Sequence, residues 1–248
     1  MTPTPILSIF LIATVCHLSH AFAPNANMTP AQSRIRSNIQ LFSSSSVVEY
    51  DTEIASCKEI LRRAAITKSE DPDLVLTSLE SLEKTMRQKR KAQGDSVSQQ
   101  VLDNLTGEWR LIFTTGTKKT QDRYNTKINY FPLKALQSFD ATTEPMKIEN
   151  GIYAGDFCML RFNGDFEFSL RKSKLEFEFD QITILGFTIN LKKDEAAKIG
   201  ASTGLGSDSN VKNAEKGKKA FFNWISADED IATARGGGGG IALWQRIQ

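Results

Sequence analysis

Apolar residues recur at helical spacing once the acidic residues begin at Glu49. Ile54, Cys57, Leu61 and the Ala64/Ala65 pair form one stripe at three- and four-residue intervals, which predicts an amphipathic helix. A second helix is predicted from Asp71-Pro72, with Asp as the cap and Pro at the first helical position. Its buried face is Val75, Leu79, Leu82 and Met86. Its basic tail, Arg87 to Lys91, suits the negative end of the helix dipole and reads as a solvated helix end or as a lipid-headgroup contact. A third short helix is expected around Val97 to Leu105. After Gly107 the period changes to two, and alternation puts Trp109, Leu111 and Phe113 on one face. Phe166, Phe168 and Leu170 alternate with Glu167 and Ser169. Beyond a polar turn, Leu175, Phe177 and Phe179 alternate with Glu176 and Glu178. This is a hairpin with an apolar face and a wet one. Further strand candidates are Lys127–Phe131, Met146–Tyr153, Phe157–Asn163, Ile182–Leu191 with a break at Gly186, Lys219–Ile225 and Ile241–Ile247. So many short strands, punctuated by turn residues, predict a barrel or sandwich. Residues 193–218, rich in Ala, Gly, Ser, Asn and Lys with few large apolar side chains, read as a mobile loop.

The N-terminal region follows other rules. The first 20 residues carry no charged side chain, and Ile6 to Leu18 is a short apolar run ahead of the small residues Ser19 and Ala21. That length suits a signal peptide over residues 1–21 and falls short of the roughly 20 apolar residues a bilayer span needs. Residues 22–46 contain Arg34, Arg36 and the run Ser43–Ser46 but no acid, which is transit-peptide composition. The junction Ala21-Phe22-Ala23-Pro24 resembles the presequence signature of algae with secondary, red-type plastids. That resemblance implies a plastid-internal protein whose mature chain begins between Ser43 and Glu49.

Removing this segment changes the chemistry available. Both histidines lie within it, as do two of the 31 Lys and Arg, so the remainder balances its 29 acidic residues and is formally neutral. Such a chain has no overall attraction for nucleic acid or an anionic bilayer. Cys57 and Cys158 remain, too few for a cysteine-rich zinc site and without histidine to complete a mixed one; no metal or other cofactor is expected. The two cysteines are read as buried thiols, with a mutual disulfide as the alternative. The glycine run fails the dinucleotide fingerprint because Ile241 occupies its last glycine position. Ala232 breaks the ligand spacing of a calcium loop at Asp228 to Asp230.

Two motifs carry a family resemblance. Gly107-Glu108-Trp109, placed between a helix and an alternating strand, resembles the Gly-x-Trp opening of lipocalin-type barrels. The closing segment Asp228-Glu229-Asp230-Ile231-Ala232-Thr233-Ala234-Arg235-Gly236, then glycines and Ile241-Ala242-Leu243-Trp244, is similar to the end of plastid lipid-associated proteins, also called plastid fibrillins. It departs from that pattern at Ala232, where the family carries arginine, and at Ser226, where it carries an aromatic residue. The resemblance implies a mainly β fold: a lipocalin-like antiparallel barrel over 107–248, preceded by α-helices over 50–105, in one domain spanning 50–248. It implies that Arg246 packs over Trp109, and that Asp228, Asp230, Arg235 and Gly236 shape the turn before the last strand. It implies as partners a hydrophobic small molecule (prenylquinone, carotenoid or acyl lipid) or a thylakoid or plastoglobule surface, and peripheral membrane association.

Seven of the 15 phenylalanines lie between Phe157 and Phe187. Phe113, Phe157, Phe166, Phe168, Phe177 and Phe179 are the candidate barrel lining, either around a ligand cavity or as ordinary core. Two functions follow. One is a noncatalytic lipid-associated protein. The other is an enzyme, or an accessory partner of a prenyl-lipid enzyme, using the carboxylates of Asp228, Glu229 or Asp230, since the histidine pairs of nucleophilic catalysis are missing.

Overall fold

The computed structural model describes residues 39–116, 129–131, 133–191, 195–202 and 216–248. The expected signal peptide and most of the transit-like segment lie outside them. Three helices come first: α1 (Ile39–Thr67), α2 (Pro72–Gln93) and α3 (Ser96–Leu105). Helix α1 begins inside the segment read as transit-like. Ile54, Cys57, Leu61, Ala64 and Ala65 are all buried along it. Helix α2 starts where Asp71 accepts hydrogen bonds from the backbone N–H groups of Asp73 and Leu74, at 2.9 and 3.0 Å. This satisfies two of the donors a helix N-terminus leaves unpaired.

The strands are β1 (Gly107–Thr114), β2 (Asn129–Tyr130), β3 (Lys134–Asp140), β4 (Met146–Ala154), β5 (Phe157–Ser169), β6 (Lys174–Ile184), β7 (Phe187–Asn190), β8 (Ala220–Ala227), β9 (Ile231–Gly236) and β10 (Ile241–Arg246). Eight of them close an antiparallel barrel in the order β1-β3-β4-β5-β6-β8-β9-β10, with β10 pairing back onto β1. Each neighbour in the ring is also the next barrel strand in sequence, so this is the up-and-down, lipocalin-like barrel the resemblance implied. Strand β2 continues the pairing of β1 past β3, and β7 extends the free end of β6. A short helix α4 (Glu195–Ser202) lies within the segment expected to be a loop over 193–218. Among the described residues no helix is long and apolar enough to cross a membrane.

Two apolar clusters share the barrel wall. The interior holds Trp109, Leu111, Phe139, Ile148, Phe166, Leu175, Phe177, Phe222, Trp224 and Trp244. The outer cluster packs α1 and α2 against Ile112, Phe113, Ile225, Ile231, Ile241 and Leu243. A β-bulge decides which cluster receives the end of β1. The register steps from Leu111 opposite Trp244 to Phe113 opposite Leu243, leaving Ile112 as the extra residue. Because successive side chains alternate, one inserted residue moves everything after it to the other face. Phe113 therefore lies beneath the helices, which corrects its place in the expected lining. A second bulge, at Asp180 on β6, sits opposite Gly164. A Cβ on Gly164 would come within 2.0 Å of the Glu178 carbonyl oxygen, so only glycine allows the two strands this approach.

Candidate functional site

The barrel has two unlike ends. At one, α3 runs into β1 and the turns β3–β4, β5–β6 and β8–β9 gather. Trp109 is fully buried there and donates its indole N–H to the Leu105 carbonyl at 2.8 Å. The Arg246 guanidinium lies over its ring, 4.1 Å from the centroid. The same guanidinium donates to the carbonyls of Asn104, Thr106, Asp228 and Glu229. It thereby joins the C-terminal end of α3 to the β8–β9 turn, close to an aromatic face. Gly107 has φ of 131°, and a Cβ there would meet Arg246 Nη1 at 2.6 Å, so this position takes glycine for two reasons.

The acidic motif is held by helix α1. Asp228 pairs with Lys58 at 2.8 Å and with Arg62 at 2.9 Å, and Asp230 also contacts Arg62 at 2.9 Å. Asp228 also accepts the backbone N–H groups of Asp230 and Ile231, which sets the turn. Burial raises its pKa, but the Lys58 hydrogen bond and charge and the two N–H donors outweigh it and hold the carboxyl below its usual range. Arg235 points elsewhere. Its Nε and Nη2 grip Glu83 of α2 at distances from 2.6 to 3.1 Å, and its Nη1 donates to the Gly239 carbonyl at 2.6 Å. Gly236 ends β9, its N–H bonded to the Gly240 carbonyl at 2.8 Å. Neither Asp228 nor Arg235 answers the other. The sequence pattern named the turn residues but not their partners on α1 and α2, because ion pairs over such separations leave no local trace.

The basic tail of α2 is also engaged. Arg90 is half-buried, donates to the Trp224 carbonyl at 2.8 Å, and has its pKa lowered chiefly by burial; Lys89 pairs with Asp51. Cys57 and Cys158 are free thiols, and burial raises the pKa of Cys57.

The middle of the interior is filled by rings. Phe177 stacks on Phe222 with centroids 5.3 Å apart, Trp224 meets Phe139 at 5.5 Å and Trp244 at 5.6 Å, and Phe139 meets Phe166 at 6.0 Å. Phe168 and Phe179 pack partly buried against this cluster. Phe166, Phe168, Phe177 and Phe179 thus face inward. Phe157 does not: it is 57% exposed at the β4–β5 turn.

The other end is built from small residues. Ala135, Gly151, Gly236, Gly240 and Ala242 leave a cavity of about 50 Å³ between the filled centre and the mouth. A site that buries a drug-sized ligand needs roughly 300 Å³ or more. Around this mouth the tips of β4–β5 and β6–β7 carry Phe157, Met159, Ile184, Leu185, Phe187 and Ile189, all exposed, with Phe187 at 78%. The tips are knit together where the Leu185 N–H bonds the Met159 carbonyl at 3.1 Å. The sequence signal for this patch was present in β7, where Phe187 and Ile189 alternate with polar residues, but periodicity does not say which face is dry.

Comparison with known proteins agrees with this architecture. No curated protein matches the chain. The family model PAP_fibrillin matches residues 55–243, which takes in the C-terminal part of α1, all of α2 and α3, and the barrel from β1 into the first half of β10. The motifs at both ends of the barrel, the closed antiparallel ring and this match agree: the chain belongs to the PAP/fibrillin family of plastid lipid-associated proteins.

Proposed function

We propose that the protein is a noncatalytic, peripheral lipid-surface protein of the plastid interior that docks through the open end of its barrel onto a thylakoid or plastoglobule surface. The observation that carries this reading is the six-residue apolar rim on two projecting hairpin tips. A cluster of this kind on a soluble domain marks an interaction surface. Protruding tips suit insertion among fluid lipids, whereas a rigid protein partner is better served by a flat or concave patch. Family membership supports lipid as the occupant. The cavity behind the rim is too small, at about 50 Å³, to enclose a carotenoid or a prenylquinone, which favours surface association over internal storage. The engagement of Asp228 and Asp230 with Lys58 and Arg62 supports a structural role for these carboxylates over a catalytic one.

Flotation with vesicles of neutral galactolipid or phosphatidylcholine tests the proposal. The unmodified protein floats, and Phe187→Asp combined with Ile189→Asp leaves it in the soluble fraction without changing its melting temperature. If that variant instead floats normally, the rim is not the docking surface. If the unmodified protein stays soluble as a dimer that the variant dissolves, the rim joins two copies of the chain.

A further inference from the structure

The basic tail of α2 does not stand alone. Arg90 Nη1 and the Ser173 hydroxyl donate to the same Trp224 carbonyl, at 2.8 and 3.0 Å. This shared acceptor holds the β5–β6 turn, in which Leu170–Lys172 make a single 3-10 turn, against the last turn of α2. Arg87, Arg90 and Lys91 of the helix thereby come beside Arg171 and Lys172 of the hairpin. Lys91, Arg171 and Lys172 are exposed, and among the described residues none of the three forms an ion pair. The carboxylates nearby are mostly taken. Glu83, 3.5 Å from Arg87, is already gripped by Arg235. Glu167 and Glu176, on either side of the turn, are held by Lys219 and Lys174. Beyond the helix, Asp95 adds one more. Like charges gathered this closely repel, and Arg87 adds to burial in lowering the pKa of Arg90. The chain after its first segment is formally neutral, so this patch is a local concentration rather than a share of an overall excess.

We propose that the patch formed by Arg87, Arg90, Lys91, Arg171 and Lys172 docks an acidic segment of a partner protein. The cations are spread over two elements, with three of them on open surface. That arrangement suits an extended run of carboxylates, whose potential complements the patch along its length, better than one compact anion. Position along the barrel decides between a protein and a membrane. Strand β6 runs 11 residues from Lys174, beside the basic turn, to Ile184 on the apolar rim. At about 3.3 Å per residue, roughly 30 Å of strand separates the two. A headgroup layer is only about 5–8 Å deep on each side of a bilayer. A rim seated among lipids therefore carries the patch clear of the same surface, free to hold a soluble partner there. This preference for protein over lipid rests on the rim as the membrane contact.

The test uses the full chain in solution at low salt, with a fluorescent peptide of alternating Glu and Ser read by anisotropy. The same peptide with Gln for Glu is the uncharged control. The Glu peptide is expected to bind saturably, more weakly as salt is raised, and the Gln peptide not at all. Arg171→Glu with Lys172→Glu should weaken binding by about tenfold, as two exposed ion pairs together allow, with the melting temperature unchanged. Lys216→Glu with Lys218→Glu makes the same change of net charge at exposed positions ahead of β8 and should leave the affinity within about twofold. Should the first variant unfold, Arg171→Gln with Lys172→Gln reads the same loss without introducing new charge. Absence of saturable binding, or equal weakening by the two reversals, overturns the proposal. So does a variant at Arg171 and Lys172 that loses flotation on vesicles containing anionic phosphatidylglycerol while the peptide fails to bind, since the patch is then a lipid contact. Peptide binding by a protein that floats on no vesicle leaves the docking patch standing and removes the rim reading instead.

Discussion

The two ends of one barrel have been built to opposite specifications. At the Trp109 end the barrel interior is sealed. A tryptophan plugs the ring, Arg246 ties four carbonyls around it, α3 covers it, and Asp228 is bonded to α1. At the mouth, side chains shrink to alanine and glycine, and large apolar residues face outward. Neither the cavity nor the rim contributes much to stability. The contrast suggests that the closed end supplies the folding energy that lets the open end carry features which would be destabilising elsewhere.

Substitutions along the barrel axis should therefore grade from severe to silent. Phe177→Ala, in the ring stack between the two ends, should cost about 3–5 kcal/mol as large-to-small core changes do, read by urea unfolding. A loss below 1 kcal/mol would mean that the centre is not rigidly filled, and the contrast would weaken. Next comes the helix-to-barrel clamp. Arg235→Met leaves Glu83 without its bidentate partner in a half-buried place and should cost about 2 kcal/mol, the range for a hydrogen bond to a charged group. Glu83→Gln with Arg235→Met should recover part of that loss, which checks that the pair rather than the arginine stem is responsible.

Asp228 gives the closed end a pH signature. Because its folded-state pKa is depressed, the stability it adds is present above the ordinary carboxylate pKa and is lost as pH falls through the folded value. Asp228→Asn should cost about 1–3 kcal/mol at neutral pH, and the gap to the unmodified protein should close under acid. A gap independent of pH would show that the turn geometry, and not the charge, matters. Smallest of all in stability is Phe187→Asp at the rim, within about 0.5 kcal/mol of the unmodified protein. Its effect should appear in vesicle flotation alone. An unfolding penalty as large as that of Phe177→Ala would place Phe187 in the core and erase the distinction between the ends.

Much of the fold was readable in the pattern of the chain. Helix faces on α1 and α2 followed from spacing, and the β5–β6 hairpin followed from alternation. The elements that escaped did so for identifiable reasons. Strand β3 hid because Gln137 occupies an inward position between Ala135 and Phe139, so a polar residue interrupts the expected apolar row. Strand β9 hid because both its faces are covered: Ala232 and Ala234 lie beneath the interior tryptophans while Ile231 and Thr233 are buried on the outer side, which abolishes alternation. Phe113 was misplaced because a bulge has no signature in residue type. Of the proposed lining, the four residues in the regular middle of the hairpin face inward, whereas Phe157, at the strand end beside a turn, and Phe113, past a bulge, do not.

What the sequence alone determined is the class of object: helices followed by a barrel or sandwich of short strands, a chain without histidine after its first segment, and the terminal motifs that carry the family resemblance. These are local properties, written in periodicity and in residue types a few positions apart. Only the tertiary structure decided that the barrel is filled at its centre, that Asp228 and Arg235 answer to separate helices, and that two hairpin tips gather an apolar rim at the other end. Each depends on residues dozens to more than a hundred positions apart being brought within a few ångströms. Ring closure and register set those distances, and neither is encoded in any single stretch of the chain.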